Sequence, residues 1–296
     1  MNGVVKMGLT DNQIKWFFII PTIALILFIV IYPLLWSVFL SFHDYNALRK
    51  EAPKFIGFGN YAEILRDPIM WRYFQITGKF VFLAVLSQFV IGFGVALLLN
   101  RQFAGKGVMI TLMLTPMMLC PVIVGIFWRF LYDPTFGVQN YYMKALLGIL
   151  PIGWLSNPKY ALLSMVIVDT WMWSPFMMLI ALAGLSAIPK YLYEAAEIDR
   201  ASWWSKFIHI TLPLVRPLLM VALLIRTMDA FKLFDLVYGL TGGGPADTTS
   251  TLSFEIYKTA FVKLYTGRSC ALAFILNIII IALSSVFIRT MNRLKA

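Results

Sequence analysis

Four charged side chains, Arg226, Asp229, Lys232 and Asp235, recur at every third position of an otherwise apolar run, LLIRTMDAFKLFDLV. Opposite charges three apart on a helix can neutralise one another, yet each step of three residues drifts by ~60°. Arg226 and Asp235 therefore fall on opposite faces, and the four cannot all line one surface. Lys79, Arg129 and Asp169 are also embedded in apolar runs. Ionisable groups in such surroundings are costly and ordinarily face a polar cavity or a charged partner. Covalent chemistry is not indicated. His43 and His209 are far apart, Cys120 and Cys270 lie within apolar runs without a CxxC spacing, and no nucleophile has a base partner. The phosphate-cradling pattern GxxxxGK[ST] is missing from the sequence, and LTGGGP at 240–245 has neither a lysine nor a helix start after it. GFGVAL at 92–97 resembles part of a dinucleotide fingerprint but lies inside an apolar run, where small residues serve close helix packing.

The elements that position these residues must be membrane helices. Apolar residues make up 60% of the 296, charged residues only 13%, and the mean hydropathy is +0.79, which is outside the range of soluble domains. A window of about 20 residues, the length needed to cross ~30 Å of hydrocarbon, predicts six spans: 16–42, 73–99, 108–132, 160–188, 214–238 and 267–289. The first is too long for a cleaved signal segment and reads as a retained anchor. The apolar segment 136–150 is too short to span and predicts a helix lying on the outer face. Six spans place 1–15, 100–107, 189–213 and 290–296 in one compartment. With boundary residues included, that set holds eleven Lys or Arg, against nine spread over the longer loops of the other side. The denser set is expected to be cytoplasmic. The net charge of +11 then reflects basic residues flanking spans at anionic head groups, not nucleic-acid binding.

On that cytoplasmic side, between the fourth and fifth spans, stands EAAEIDRASWWSKF at 194–207. Lys190 to Asp199 suits a helix opened by Pro189, with Glu194, Ala195 and Ala196 as good formers. Ser202 can cap a second short helix, SWWSKFIHI, whose apolar face is Trp203, Trp204 and Phe207. Small alanines allow close approach of another backbone, and Glu194, Glu197 and Asp199 offer charge to a partner. Physical chemistry alone allows two readings: a docking knob, or an amphipathic pair resting its tryptophans in head groups.

The longer pattern favours the first. EAA, followed by Asp199, Ala201, Phe207, Ile210, Leu212-Pro213 and Pro217, resembles the EAA motif of ATP-binding-cassette importer permeases. GLSAIPKYLYEAAEIDRAS, LTGGGP, IYKTAF at 256–261 and FIGFGNY at 55–61 resemble the carbohydrate-uptake, maltose-type branch. The resemblance implies an all-α membrane protein with the type I ABC importer permease fold, one transmembrane domain over 1–296, in a bacterial inner membrane with both termini cytoplasmic. It implies two cytoplasmic ATPase subunits, with the loop 189–213 inserted into a groove on one of them through Glu194, Ala195, Ala196, Asp199, Arg200, Ala201, Leu212 and Pro213. ATP and Mg would be bound by those subunits, with no cofactor or metal in this chain. A homologous second permease would complete a heterodimer in the lipid. An extracytoplasmic solute-binding protein would meet the turn at Gly242, Gly243, Gly244 and Pro245. Arg200 departs from the family, which usually has glycine there. Either the break between the helices shifts, or the arginine reaches a partner, because positive φ costs a non-glycine residue roughly 1 kcal/mol.

For the path, the candidates are Arg226, Asp229, Lys232 and Asp169, with Arg226 near mid-membrane and the other charges nearer the outer face. Trp171 and Trp173 could stack a sugar ring. The seven intramembrane charges sum to +1, a lean toward an anionic sugar of the alginate type. An ion-coupled transporter working without an ATPase is the competing class, but it would call for inverted halves with interrupted helices, which the sequence does not display. An intramembrane enzyme would need His, Glu, Asp or Cys converging at one depth.

Overall fold

The computed structural model describes residues 11–49, 51–148 and 150–293. The elements in chain order are α1 (Asp11–Ile26), α2 (Tyr32–Ser41), β1 (His43–Asp44), β2 (Lys54–Phe55), α3 (Gly59–Arg66), α4 (Pro68–Leu99), α5 (Lys106–Leu114), α6 (Pro121–Leu131) and α7 (Val138–Leu147). They continue with α8 (Pro158–Ser186), α9 (Lys190–Ile198), α10 (Trp203–Lys206), α11 (Leu212–Phe231), α12 (Asp235–Leu240), α13 (Leu252–Tyr257) and α14 (Thr266–Arg293). Contacts divide the chain into two compact units, one of residues up to Arg66 with Thr259–Phe274 and one of Asp67–Lys258 with the end of α14.

In the first unit, α1 and α2 form one apolar helix, Lys15–Ser41, joined by a π turn at Leu27–Ile31. Beyond it β1 and β2 pair antiparallel, His43 opposite Phe55. Asn60 holds this corner by donating from Nδ2 to the carbonyls of Ser41 and His43 at 2.9 and 3.0 Å.

The second unit is built on α4 and α8, which pack along their length and receive α11 against both. Each begins on an Asx-Pro pair: Asp67 Oδ1 accepts from Ile69 N and Asn157 Oδ1 from Lys159 N, both at 2.9 Å, with the proline at the first helical position. These caps set the starts at 68 and 158, ahead of the hydropathy limits 73 and 160. Gly92 lets the two helices meet, since a Cβ there would lie 2.6 Å from both Met177 Cβ and the Ser174 carbonyl. Close packing through a small residue is the reading given to GFGVAL, and it holds at Gly92.

Two expected spans take a different form. The third, 108–132, is two helical stretches, Lys106–Met118 and Pro121–Leu131, bent by 96°. Cys120 precedes Pro121 and is extended, as the proline ring requires, so the helix cannot run through. The fifth, 214–238, runs instead over Trp203–Phe231. Its lower part includes α10, so SWWSKFIHI is no separate surface helix. Ser202 does cap it, accepting from Ser205 N at 3.2 Å. The helix then passes Pro213 by a π turn at Phe207–Thr211, in which Leu212 N bonds back to Phe207 O. The wider turn relieves the clash a proline makes with the carbonyl four residues before it. The same arrangement precedes Pro33, where Tyr32 N bonds to Leu27 O. At its upper end α11 stops at Phe231 and α12 starts at Asp235, so the four-charge ladder does not lie along one helix. With the bent pair counted as one span, the described residues hold the six expected, by length and composition.

Candidate functional site

The helix α9 is a knob with a packed root and a bare tip. At the root, Tyr193 and Leu192 lie against a buried cluster of Phe93, Leu99, Leu185 and Leu219, and Tyr193 Oη bonds Thr211 Oγ1 at 2.9 Å. At the tip, Glu194, Ala195, Glu197, Ile198, Asp199 and Arg200 are exposed, and Ala196 is half-buried. The end of the helix is a Schellman turn: Ala201 N donates to Ala196 O at 2.8 Å and Arg200 N to Glu197 O at 3.0 Å. Arg200 occupies its left-handed position at φ 54. The break therefore does not shift to avoid the arginine, which carries the strain itself. Lys206 Nζ reaches back to Glu197 Oε1 at 2.8 Å and ties the knob to the start of the next helix. Leu212 and Pro213 are not at the tip but in that helix, Leu212 in the cluster at the root. Ile198, 84% exposed, was not singled out from the sequence. Its signal is that Tyr191, Ala195 and Ile198 share one face of an exposed helix.

The intramembrane charges divide. Arg226 and Asp169 are both buried and pair at 2.5 Å between Nη2 and Oδ2. Gln88 completes the group, donating from Nε2 to Asp169 Oδ2 and accepting from Arg226 Nε, both at 2.7 Å. Arg226 Nη1 donates to Asp229 Oδ2 at 3.1 Å. One polar knot thus joins α4, α8 and α11. Gln88 was missed because a search for charge passes over a neutral side chain, although a glutamine inside an apolar run is itself a signal. Lys79, Arg129, Lys232 and Asp235 are exposed on the chain.

Beside the knot lies a cleft of about 360 Å³ lined by Trp173, Phe176, Ile225, Arg226, Met228, Asp229 and Lys232. The Arg226 guanidinium sits 5.1 Å from the centre of the Trp173 ring. Trp171 does not share this cleft. It packs edge-on against Trp128 at 5.5 Å and borders an apolar groove with Met113, Pro116 and Pro175. Residues two apart on a helix are about 200° apart in direction, so only one of the two tryptophans can face the cleft.

The glycine turn is partly a packed element. Gly242 is exposed, but Gly243, at φ 86, is buried, and a Cβ on it would lie 2.5 Å from Ser250 Oγ and 2.7 Å from Phe254. Thr249 Oγ1 donates to Gly244 O at 2.7 Å. Lys258 joins Asp247 at 3.1 Å and the buried Glu255 at 3.0 Å, pinning the turn to α13. Burial raises the Asp247 carboxyl, but the bonds from Lys258 and Ser250 more than offset this and hold it below the usual range. Burial lowers the Lys258 amine, and its bonds to Glu255 and Asp247 raise it overall. The Asp247 contribution is therefore full above the ordinary carboxylate pKa and is lost as pH falls through its depressed value.

The family model described as binding-protein-dependent transport system inner membrane component matches residues 88–295, from Gln88 into the last residues of the chain. The chain belongs to that family. It is similar to the trehalose/maltose transport system permease protein MalF of Thermococcus litoralis, 34% identical over 97% of each chain. It is also similar to the sulfoquinovosyl glycerol transport system permease protein SmoG of Agrobacterium fabrum, 33% identical over 96% of this chain and 92% of that one. In fold it matches a chain of a bacterial ABC transporter involved in the import of the acidic polysaccharide alginate, with a TM-score of 0.82, 21% identity and coverage of 95% and 96%. This inner membrane component thus has the type I importer permease fold, and it is the transmembrane part of a transport system, not an enzyme. With φ 54 at Arg200 and the turn already formed, Arg200→Gly is expected to keep transport and raise thermal stability by up to roughly 1 kcal/mol. ATPase coupling and the melting temperature of the assembled complex check this; complete loss of coupling would give the arginine a role of its own.

Proposed function

We propose that this chain is the permease subunit of an ATP-driven importer that carries a sugar or oligosaccharide into the cytoplasm. The observation that carries the proposal is α9: a rigid knob, rooted in the packing of α4, α8 and α11 and bare at its tip, placed between two spans. Its tip docks in a groove on one of two cytoplasmic ATPase subunits, which bind ATP and Mg. Both termini then lie on the cytoplasmic side. The first span buries none of its apolar window within the chain, in keeping with lipid and a second, homologous permease as its surroundings. Of the turn Gly242 to Pro245, Gly242 is the exposed residue and faces the solute-binding protein on the other side, while Gly243 shapes the turn from within.

The relatives' solutes, trehalose, maltose and sulfoquinovosyl glycerol, support a saccharide, and the cleft suits one. Trp173 and Phe176 offer aromatic faces, while Arg226, Asp229 and Lys232 offer hydrogen bonds. Taken together, the charges of the cleft and of the buried knot beside it balance: Arg226 and Lys232 against Asp229 and the buried Asp169. A preference for an acidic sugar such as an alginate oligomer would have to come from Lys79 and Arg129, outside the cleft. Uptake of neutral and uronate oligosaccharides into vesicles holding the assembled system tests the proposal. ATP-dependent uptake of either is the expected result. Uptake driven by an ion gradient with the ATPase subunits removed would establish the competing class, a self-sufficient secondary transporter.

A further inference from the structure

We propose that α7 is a built-in bilayer anchor, seated with its apolar stripe outward in the interfacial layer on the face opposite α9. Along α7, Val138, Tyr141, Tyr142, Ala145 and Leu146 follow the i, i+3, i+4, i+7, i+8 spacing of one helical face, and all five are exposed. The residue turned inward is polar. Asn140 is 5% exposed and closes a clasp, its Oδ1 accepting from Ile152 N and Trp154 Nε1 at 3.0 Å, its Nδ2 donating to Ile152 O at 3.0 Å. This arrangement is the inverse of a helix that covers a protein core, where the apolar stripe faces in.

What covers the stripe follows from where the clasp is fastened. Trp154 lies tilted against Tyr132, at the end of α6, with ring centres 5.5 Å apart, and its carbonyl accepts from Ser164 Oγ on α8 at 3.2 Å. α7 is therefore held at the level where α6 and α8 leave the hydrocarbon, and that level is the head-group layer. Tyrosines with an apolar body and a polar tip suit it, as does Lys144 in the last turn. Since α8 crosses the membrane between α7 and α9, the anchor and the knob stand on opposite faces. The seat is apolar, so salt leaves it in place.

The test uses the complete transporter in phosphatidylcholine vesicles. Cys120 and Cys270 are changed to serine, and a small fluorophore is placed at Tyr142→Cys or, separately, at Leu146→Cys. Both side chains are exposed, so neither change disturbs the fold. Expected is several-fold stronger quenching by lipid carrying a nitroxide at the upper acyl chain than by aqueous iodide, unchanged in 1 M salt. Quenching by iodide without quenching by lipid would overturn the anchor. So would lipid quenching lost in salt, which means an electrostatic seat. Iodide access blocked only when the solute-binding protein is added would overturn it in favour of a protein dock.

Discussion

Ile198→Asp should lower solute-stimulated ATPase activity of the assembled transporter by about 10-fold or more, with the chain itself inserted and folded as before. Ile198 is 84% exposed at the end of α9 and shares a face with Tyr191, which is 64% exposed. The side chain contributes nothing to the packing of this chain, so its loss costs little in folding. A well-seated apolar residue in a docking groove is worth 2 kcal/mol or more on truncation, and about 1.4 kcal/mol is a factor of ten in affinity. A carboxylate adds the penalty of a buried, unpaired charge. Recovery of ATPase subunits with the purified complex should fall in parallel. Full recovery with normal activity would mean that Ile198 faces lipid or water and not a partner.

Asp169→Ala should destabilise the membrane domain by about 3–5 kcal/mol, the cost of leaving a buried charge without its counter-ion. Arg226 is 2% exposed and has three partners, of which Asp169 is the buried acid, while Asp229 is half in the open. The pair also supplies Gln88 with its acceptor, so α4, α8 and α11 all lose a tie. The double variant Asp169→Asn with Arg226→Met should recover most of the loss, since it removes both charges together. Thermal melting in detergent measures each. An unchanged melting temperature with abolished uptake for Asp169→Ala would make the pair a part of the solute path and not a brace.

Much of this was legible in residue types and spacing, and the gaps have physical causes. The helix α9 could be read because its formers and its Pro189 start are local, whereas the choice of a docking knob over a helix pair in head groups came from the longer pattern. The break after Asp199 was readable too, although the sequence left open how Arg200 would be accommodated. The limits of the fifth span were misread because hydropathy measures composition and not helix continuity: LFDLVYGL is apolar enough to extend α11, yet the chain turns after Phe231 and begins α12. The bend at Cys120-Pro121 is likewise a backbone event within an unbroken apolar run. The Arg226–Asp169 pair joins residues far apart in sequence, which spacing rules cannot supply. The placement of Trp171 and Trp173 was available from helical geometry, because two residues on one helix two positions apart point to different surroundings.

The most direct test of the central claim is the activity of the complex in liposomes, stimulated by the loaded binding protein, with wild type compared against Glu194→Lys and ATPase subunits quantified in both. Glu194 is exposed on α9, so the substitution inverts a charge at the dock without a folding cost. Lost stimulation together with lost or misplaced ATPase subunits is the predicted result, and it would establish α9 as the link between ATP hydrolysis and the membrane helices. Unchanged stimulation with full recovery would contradict it and return EAAEIDRASWWSKF to a helix resting at the membrane surface.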